Sequence, residues 1–417
     1  MTGPTHFPGE SKVIQETDTS RSERSNEGMN AFVVTLVYLL CAAAVVWKHP
    51  VADRVTMCFY VAATTLAVFF AWLAQPGRNV TLRLWPLGIS LMISFFVLGF
   101  RESGLDDEKY MTHFYHIRAF GMTEFFRFST MEPGYIFLSA MIGKTGCEYF
   151  TAQLVFTLIP LLVFYLGFVR LRSMISLPMA VLLLYSTFYF LILAVALVRM
   201  FIAISLVFYA MIYLWEMKPL KYAAMILVAA TFHYSAAIFL PLVFFGLNKN
   251  TMLFHWKKVC AALLIVLPLL VFLIPATLIP SMGERYEAYE DAEVRFSAFS
   301  LFSKSAVFIA AAGLLNSVPK EFKNAYLLGT ILLFFAIVSY LFSGGILGRC
   351  IFYGNLGFFF CFPLLCRHGS TAVQRLCVGI GIILFAFSFL EVTQWSLEFH
   401  QDILFPYRNI FFTTGMH

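Results

Sequence analysis

The sequence predicts an all-α integral membrane protein with about 12 transmembrane or partial helices. Hydrophobic residues make up 60% of the 417 residues and charged residues 12%, and the mean hydropathy is +0.81. The charged fraction is about half that of a usual soluble protein. Apolar runs of roughly 20 residues recur, which is the length that crosses a bilayer as a helix. Because these runs are continuous and do not alternate with polar residues, they favour helices over the strands of a membrane barrel.

The chain divides into a hydrophilic start and one membrane domain. Residues 1–28 predict a disordered cytoplasmic tail, and residues 29–417 predict a single polytopic membrane domain. Lysine and arginine in the short loops set the orientation, with the N-terminus in the cytoplasm. The polar segment 101–149 and the loop 281–298 are then expected on the outer side. The net charge of +6 follows from this loop pattern and does not indicate a nucleic-acid partner.

The expected membrane passes can be read in chain order from the apolar runs. They lie at 30–47, 55–74, 82–100 and 150–169, as two passes within 179–215, as a re-entrant pair of half-helices within 221–247, and at 259–280, 299–317, 325–343, 347–366 and 373–392. The re-entrant pair breaks near His233 and keeps Lys249, Lys257 and Lys258 in the cytoplasm. The alternative is one pass over 221–247, which places these lysines outside.

Two arginines stand out as candidate phosphate ligands. Arg199 is the only charged residue between Met179 and Trp215, and Arg349 follows three glycines within five residues. A guanidinium binds phosphate bidentately and stays protonated, so two arginines at one membrane face could hold a diphosphate. The alternatives are a headgroup anchor for Arg199 and an interfacial arginine at a tight interhelical turn for Arg349.

Three side chains could take a proton from a hydroxyl group: His233, Asp106 and Glu132. A histidine within the membrane is by default a functional-site hypothesis, although His233 could also be a histidine hydrogen-bonded between helices. Asp106 and Asp107 could hold a divalent cation, or Asp107 could simply begin a helix over 107–119. Glu132 begins a Glu-Pro-Gly-Tyr motif that predicts a new half-helix.

Tyrosines near the predicted outer face could contact sugar rings, unless they only form an aromatic belt at the interface. The candidates are Tyr135, Tyr286, Tyr289 and Tyr353. The sequence has no HExxH, GxxxxGK[ST] or GxSxG motif, which leaves a zinc enzyme, a nucleotide-driven pump and a catalytic serine unsupported. We therefore assign no cofactor and no metal ligand, and the need for a divalent cation stays open.

Taken in order, these pieces resemble the EpsG/Wzy-type polymerases of O-antigen, capsule and exopolysaccharide over residues 30–410. The matching pieces are Gly104-Leu105-Asp106-Asp107 with Tyr110, Glu132-Pro133-Gly134-Tyr135, Val198-Arg199-Met200-Phe201-Ile202-Ala203, Phe232-His233-Tyr234-Ser235-Ala236, the tyrosine-rich outer loop, Gly348-Arg349 with Tyr353, and Pro406-Tyr407-Arg408. The family commonly has Arg-Gln where this chain has Arg199-Met200, so no role is given to Met200.

The resemblance implies a GT-C-like glycosyltransferase of the bacterial inner membrane. Such a protein moves a growing glycan from one undecaprenyl diphosphate to the terminal sugar of another lipid-linked repeat unit on the periplasmic face. It implies that Arg199 and Arg349 stabilise the diphosphate and that His233, Asp106 or Glu132 aligns or deprotonates the acceptor hydroxyl. The implied partners are undecaprenyl-diphosphate-linked oligosaccharide and membrane lipid, together with a chain-length regulator and a flippase.

Three other functions stay open at this stage. One is a GT-C transferase that adds a single sugar from a polyprenyl phosphate, or a ligase, and a ladder of product lengths separates both from a polymerase. The second is a lipid or polysaccharide transporter, which predicts internal symmetry and charges that line a path open to both faces. The third is an acyltransferase that uses His233 and would need a second polar partner inside the membrane.

Overall fold

The computed structural model describes residues 51–76, 84–102, 107–128, 131–186, 197–247, 298–341 and 345–399. Of this part of the chain, 89% is helical and none is strand, which confirms the predicted all-α class. The tail at 1–28, the predicted passes at 30–47 and 259–280, and most of the outer loop 281–298 lie outside the described residues.

The α-helices of the described part are numbered here in chain order. They are α1 Val51–Ala74, α2 Leu84–Gly99, α3 Asp107–Phe128, α4 Pro133–Lys144, α5 Tyr149–Leu171, α6 Leu177–Ser186, α7 Val198–Trp215, α8 Pro219–Phe232, α9 Ala298–Gly313, α10 Lys323–Leu341, α11 Gly345–Gly354, α12 Gly357–His368 and α13 Thr371–Phe399. A 3₁₀ segment covers Tyr234–Leu247, and two short 3₁₀ turns, Leu314–Ser317 and Lys320–Phe322, join α9 to α10.

Four helical stretches among the described residues are long and apolar enough to cross a bilayer. They are Tyr149–Leu171, Val198–Trp215, Lys320–Leu341 and Cys350–His368. Shorter apolar helices accompany them, including α2, α6 and α8. The chain is thus a multi-pass membrane protein, while the count of about 12 passes stays a prediction.

Helices α5 and α7 run side by side in the same direction, with polar residues at both ends. At the C-terminal ends, Arg170 Nε donates to Glu216 Oε1 at 2.5 Å, and Lys218 Nζ lies 2.7 Å from the same carboxylate. Burial raises the pKa of Glu216, but the hydrogen bonds from Arg170 and Lys218 outweigh it and leave the pKa below its usual value. Tyr149 and Arg199 lie at the N-terminal ends. The 18 residues of α7 rise about 27 Å, close to the thickness of a hydrocarbon core, so the two polar ends lie at opposite faces.

A cluster of phenylalanine rings holds α7 in the middle of the bundle. Phe208 of α7 stacks on Phe164 of α5 with ring centroids 5.0 Å apart, and Phe359 of α12 lies 5.6 Å from each of them. Of the 18-residue window of α7, 83% is buried inside the protein. The side chains of its first turn are therefore fixed by protein contacts and do not face lipid.

The polar segment 101–149 folds mainly into α3, α4 and the start of α5. Tyr110 and Phe114 on one side of α3 are buried against α4 and α5, while Met111 and Thr112 between them are exposed. The helix predicted over 107–119 is confirmed. The helix is kinked at Gly121, whose backbone is non-helical with a φ of 81°, a conformation that glycine adopts readily, and a second helical stretch follows to Phe128. Pro133 is the first residue of α4, which confirms the half-helix predicted at this motif.

The predicted break near His233 is present. Helix α8 ends at Phe232, the backbone at His233 is extended, and the 3₁₀ segment follows. Tyr222 Oη donates to the Phe239 carbonyl at 2.5 Å and ties this segment back onto α8. Whether the two halves re-enter the same face of the membrane stays a prediction, because Lys249, Lys257 and Lys258 lie outside the described residues.

Helices α10 and α12 cross at glycines, as membrane helices often do. A methyl group on Gly357 of α12 would overlap the Gly329 carbonyl of α10 and lie 2.7 Å from Leu333 Cγ. The run predicted as one pass at 347–366 is divided at Asn355 into α11 and α12. The close approach of backbones at Gly357 leaves no room for a side chain.

We expect Gly357→Ala to destabilise the protein by about 1–3 kcal/mol, because the two helices must move apart. The measurement is the thermal unfolding midpoint of purified protein in detergent. Gly379→Ala on α13 is the matched control, since no described atom lies within 4 Å of the position of its added methyl group. Equal midpoints for the two variants would contradict the close contact.

Candidate functional site

A buried ion pair joins the starts of two helices at the end of the bundle that carries the polar segment 101–149. Arg199 is the second residue of α7, and Glu132 is the residue before α4. Arg199 Nη1 contacts Glu132 Oε2, and the two residues are 8% and 4% exposed. The sequence singled out both residues but assigned them separate roles, and the structure brings them together.

Two tyrosines surround the Arg199 guanidinium. Arg199 Nε donates to Tyr110 Oη at 3.3 Å, and its Cζ lies 5.7 Å from the Tyr110 ring centroid and 5.9 Å from that of Tyr135. Tyr135 Oη in turn donates to the Tyr110 carbonyl at 3.3 Å, and its ring stacks on Phe156 at 5.2 Å. The cation is thus held by one carboxylate, one hydroxyl and two aromatic faces.

This arrangement is suited to binding an anion. The N-terminus of α7 has no side-chain cap among the described residues, so its first N–H groups and its dipole add to the positive charge of Arg199. A buried charge needs a partner, and Glu132 supplies it here. A phosphate could replace the Glu132 carboxylate on the guanidinium without leaving the cation unpaired.

A second buried ion pair lies beside the first and fixes the start of α3. Arg101 Nη2 lies 3.1 Å from Asp107 Oδ1, and Tyr149 Oη donates to the same oxygen at 3.3 Å. Gln153 Nε2 donates to the Arg101 carbonyl at 2.9 Å. Asp107 is the first residue of α3, so the structure supports its helix-start role. Since Tyr110 follows one turn later, this pair sets the position of Tyr110 against Arg199.

The second part of the site is a chain of hydrogen bonds through His233. Its Nδ1 lies 2.5 Å from Ser235 Oγ, and Ser235 Oγ donates to Tyr353 Oη at 3.1 Å. All three residues are buried, and the Tyr353 ring packs against Phe239 with centroids 5.2 Å apart. His233 therefore has the second polar partner that sequence reasoning did not find.

A close helix contact joins the two parts. A methyl group on Gly134 of α4 would lie 2.5 Å from Thr231 Oγ1 of α8, so only glycine allows this approach. Gly134 is two residues after Glu132, and Thr231 is two residues before His233. Phe232 packs against two hydrophobic clusters, one that contains Tyr110 and Tyr135 and a larger one that contains Phe164 and Phe208. The ion pair and the histidine thus flank one helix contact.

His113 lies on α3 near the same cation. Its Nδ1 donates to the Lys109 carbonyl at 2.6 Å. Burial lowers the pKa of His113, and the positive charges of Lys109, Arg199 and His116 lower it further, against the effect of the hydrogen bond to the Lys109 carbonyl. The shift favours the neutral form of His113 beside the Arg199 cation.

The other predicted site residues are placed as follows. Asp106, Tyr286 and Tyr289 lie outside the described residues. The backbone of Arg349 lies in α11, one turn before Tyr353, but its side chain is also outside them. The rings of Tyr135 and Tyr353 are fully buried, and their contact with glycan stays a prediction. No group of three possible metal ligands occurs among the described residues.

Sequence reasoning missed the parts played by Tyr110, Ser235 and the Arg101–Asp107 pair. Tyr110 could have been found from α3 itself, because Asp107, Tyr110 and Phe114 share one side of a helix. Ser235 stands two residues after His233, and only the helix break lets the two side chains meet.

Comparison with known families gave one result. A family model described as the EpsG family matches residues 84–409, more than three quarters of the chain. Comparisons with curated proteins and with solved structures gave no match. The matched range runs from the start of α2 to beyond α13 and includes every site residue named above.

Proposed function

Because the chain belongs to the EpsG family, which indicates a polysaccharide polymerase, we propose that it polymerises undecaprenyl-diphosphate-linked repeat units into surface polysaccharide. Family membership confirms the resemblance seen in the sequence. The proposed setting is the periplasmic face of the bacterial inner membrane, in a GT-C-like bundle of about 12 passes with a cytoplasmic N-terminus. The lipid-linked substrates reach the site between helices from the bilayer.

The observation that carries the proposal is the buried Arg199 cation at the start of a membrane-length helix. Arg199 lies in the first turn of α7, where no described side chain caps the helix. It is 8% exposed and has Glu132 as its charged partner. The polyprenyl tail of a lipid diphosphate stays in the bilayer, which brings the charged diphosphate group to the depth of Arg199. Arg349, one helical turn before Tyr353, is the proposed second phosphate ligand.

The reaction we propose is a substitution at the anomeric carbon of the donor glycan. The hydroxyl oxygen of the acceptor sugar attacks this carbon, and the bond from the carbon to the diphosphate oxygen breaks with its electron pair going to the diphosphate. Arg199 stabilises the charge that develops there. The acceptor proton passes to His233. Diphosphate is already a good leaving group, so no acid is required on the donor side.

In this scheme Glu132 is the counter-ion of Arg199 between turnovers. A proton on the Glu132 carboxylate would neutralise it and weaken its ion pair with Arg199. Glu132 is therefore a weaker candidate for the general base than His233. When the donor diphosphate binds Arg199, the carboxylate is displaced. Its return after the reaction helps to expel the diphosphate product.

The test is deletion of the gene in its host, followed by complementation. We expect the ladder of polysaccharide lengths on a gel to collapse to a single repeat unit and to return with the wild-type gene. The deletion strain should also accumulate lipid-linked repeat units. An unchanged ladder in the deletion strain would overturn the polymerase proposal, and a shift by a single sugar would support a transferase instead.

A further inference from the structure

Ser235 has no role in the reaction described above and Tyr353 has only a predicted contact with glycan, yet both belong to the hydrogen-bond chain that ends at His233. We propose, on the basis of the proposed function, that they are positioning residues for the base. They hold the His233 imidazole as the tautomer with its proton on Nδ1, so that Nε2 accepts the proton of the acceptor hydroxyl.

The direction of the Ser235–Tyr353 hydrogen bond points to one tautomer. Ser235 Oγ carries one proton and donates it to Tyr353 Oη at 3.1 Å. The same oxygen lies 2.5 Å from His233 Nδ1, and with its proton already given it can only accept there. Nδ1 therefore carries a proton, and in the neutral imidazole the lone pair is on Nε2.

The helix break is what makes this contact possible. Residues two apart on a continuous helix do not face each other. Because α8 ends at Phe232 and the backbone at His233 is extended, the His233 and Ser235 side chains meet. The Tyr222 hydrogen bond to the Phe239 carbonyl holds the segment after the break.

Burial keeps the hydrogen bonds from His233 through Ser235 to Tyr353 in one arrangement. His233, Ser235 and Tyr353 are 4%, 9% and 0% exposed, so water has little access to compete for the hydrogen bonds of the two hydroxyls. Tyr353 belongs to α11, the helix that also carries Arg349. The hydrogen bonds therefore tie the base to the helix of the proposed second phosphate ligand.

The most informative variant is Tyr353→Phe, which keeps the buried ring and removes the hydroxyl that accepts the hydrogen bond from Ser235. Ser235 is then free to donate its proton to His233 Nδ1, which shifts the imidazole to the tautomer with its proton on Nε2. Ser235→Ala removes the partner altogether, and Ser235→Thr keeps a hydroxyl at the same place. We expect the first two to lower kcat roughly 10- to 100-fold with little change in KM, and Ser235→Thr to restore much of the rate.

The tautomer can be measured without any substrate. Full-length protein with ¹⁵N-labelled histidine is placed in lipid nanodiscs, and the His233 signals are assigned by comparison with His233→Asn. In the wild type, above the pH at which histidine titrates, we expect a protonated Nδ1 and an unprotonated Nε2. Tyr353→Phe should move the proton to Nε2, and Ser235→Thr should match the wild type.

The outcomes separate this inference from the proposed function. A wild-type His233 with its proton on Nε2 would overturn the inference, as would a Tyr353→Phe variant with the wild-type tautomer or the wild-type kcat. The kcat is measured with lipid-linked repeat units extracted from the deletion strain. If the wild-type protein forms no polymer from them, the proposed function fails, while the nitrogen signals still decide the tautomer.

Discussion

Arg199→Gln is expected to abolish the polysaccharide ladder. The substitution removes the cation that holds the leaving diphosphate and keeps a polar, uncharged side chain. Loss of a preorganised charge at the point where negative charge develops costs about 10²–10³ in rate for a single donor, and a guanidinium supplies more than one. The measurement is the ladder in the deletion strain complemented with the variant, at matched protein levels in the membrane.

The effect of Arg199→Gln on protein stability must be separated from its effect on the reaction. Arg199→Gln leaves Glu132 buried without its counter-ion, which costs about 3–5 kcal/mol. The double variant Arg199→Gln with Glu132→Gln removes both charges together and is expected to regain most of that stability. We expect it to be folded in the membrane and still without a ladder. A ladder made by the double variant would show that the ion pair is structural.

Glu132→Gln alone distinguishes a counter-ion from a base. Without the competing carboxylate, Arg199 is free to bind phosphate, so we expect inorganic diphosphate to bind about tenfold more tightly or better. Binding is measured on purified protein by displacement or calorimetry, with Arg199→Gln as the negative control. We expect a ladder to persist with slower turnover, because the product diphosphate leaves slowly. A folded Glu132→Gln variant with no ladder and wild-type diphosphate affinity would instead make Glu132 the base.

Local patterns in the sequence were sufficient to predict the helical class, the half-helix at Pro133 and the break at His233. Each depends on residues adjacent in the chain: continuous apolar runs, a Glu-Pro-Gly motif, and a polar residue within an apolar run. Arg199 was also identified locally, since it is the only charge in its run. Its predicted place near the end of a pass agrees with its position as the second residue of α7, while the membrane face at which it lies stays a prediction.

Pairings across the chain could not be predicted in this way. Arg199 and Tyr110 are separated by 89 positions, and Ser235 and Tyr353 by 118. Which arginine meets which carboxylate depends on how the helices pack, and Arg101, Arg199, Asp107 and Glu132 allow more than one combination. Burial also changes the interpretation of a residue: Tyr353 was a candidate sugar contact at the sequence level, whereas in the structure its hydroxyl accepts a hydrogen bond from Ser235 inside the core.

His233→Ala is expected to lower the rate of polymerisation by about 10²–10⁴, the contribution usual for a positioned general base. The rate is measured with purified protein and lipid-linked repeat units, and it should fall through kcat. His116→Ala is the matched control, because His116 is an exposed histidine of α3, and it should keep the wild-type rate. Diphosphate binding at Arg199 should survive in both variants, since the ion pair lies across the helix contact from His233.

Chemical rescue tests whether the rate lost in His233→Ala is due to the missing proton acceptor. The alanine variant leaves a space beside Ser235 the size of an imidazole ring, and added imidazole can bind there and accept the proton. We expect the rate of His233→Ala to rise with imidazole concentration to a plateau, and the wild-type rate to stay unchanged. Because imidazole would have to donate to Ser235 in the same way, rescue should be weaker when Ser235→Ala is combined with His233→Ala. A variant that keeps its rate without imidazole would show that His233 only joins helices, and the proton would then pass directly to water or to the diphosphate.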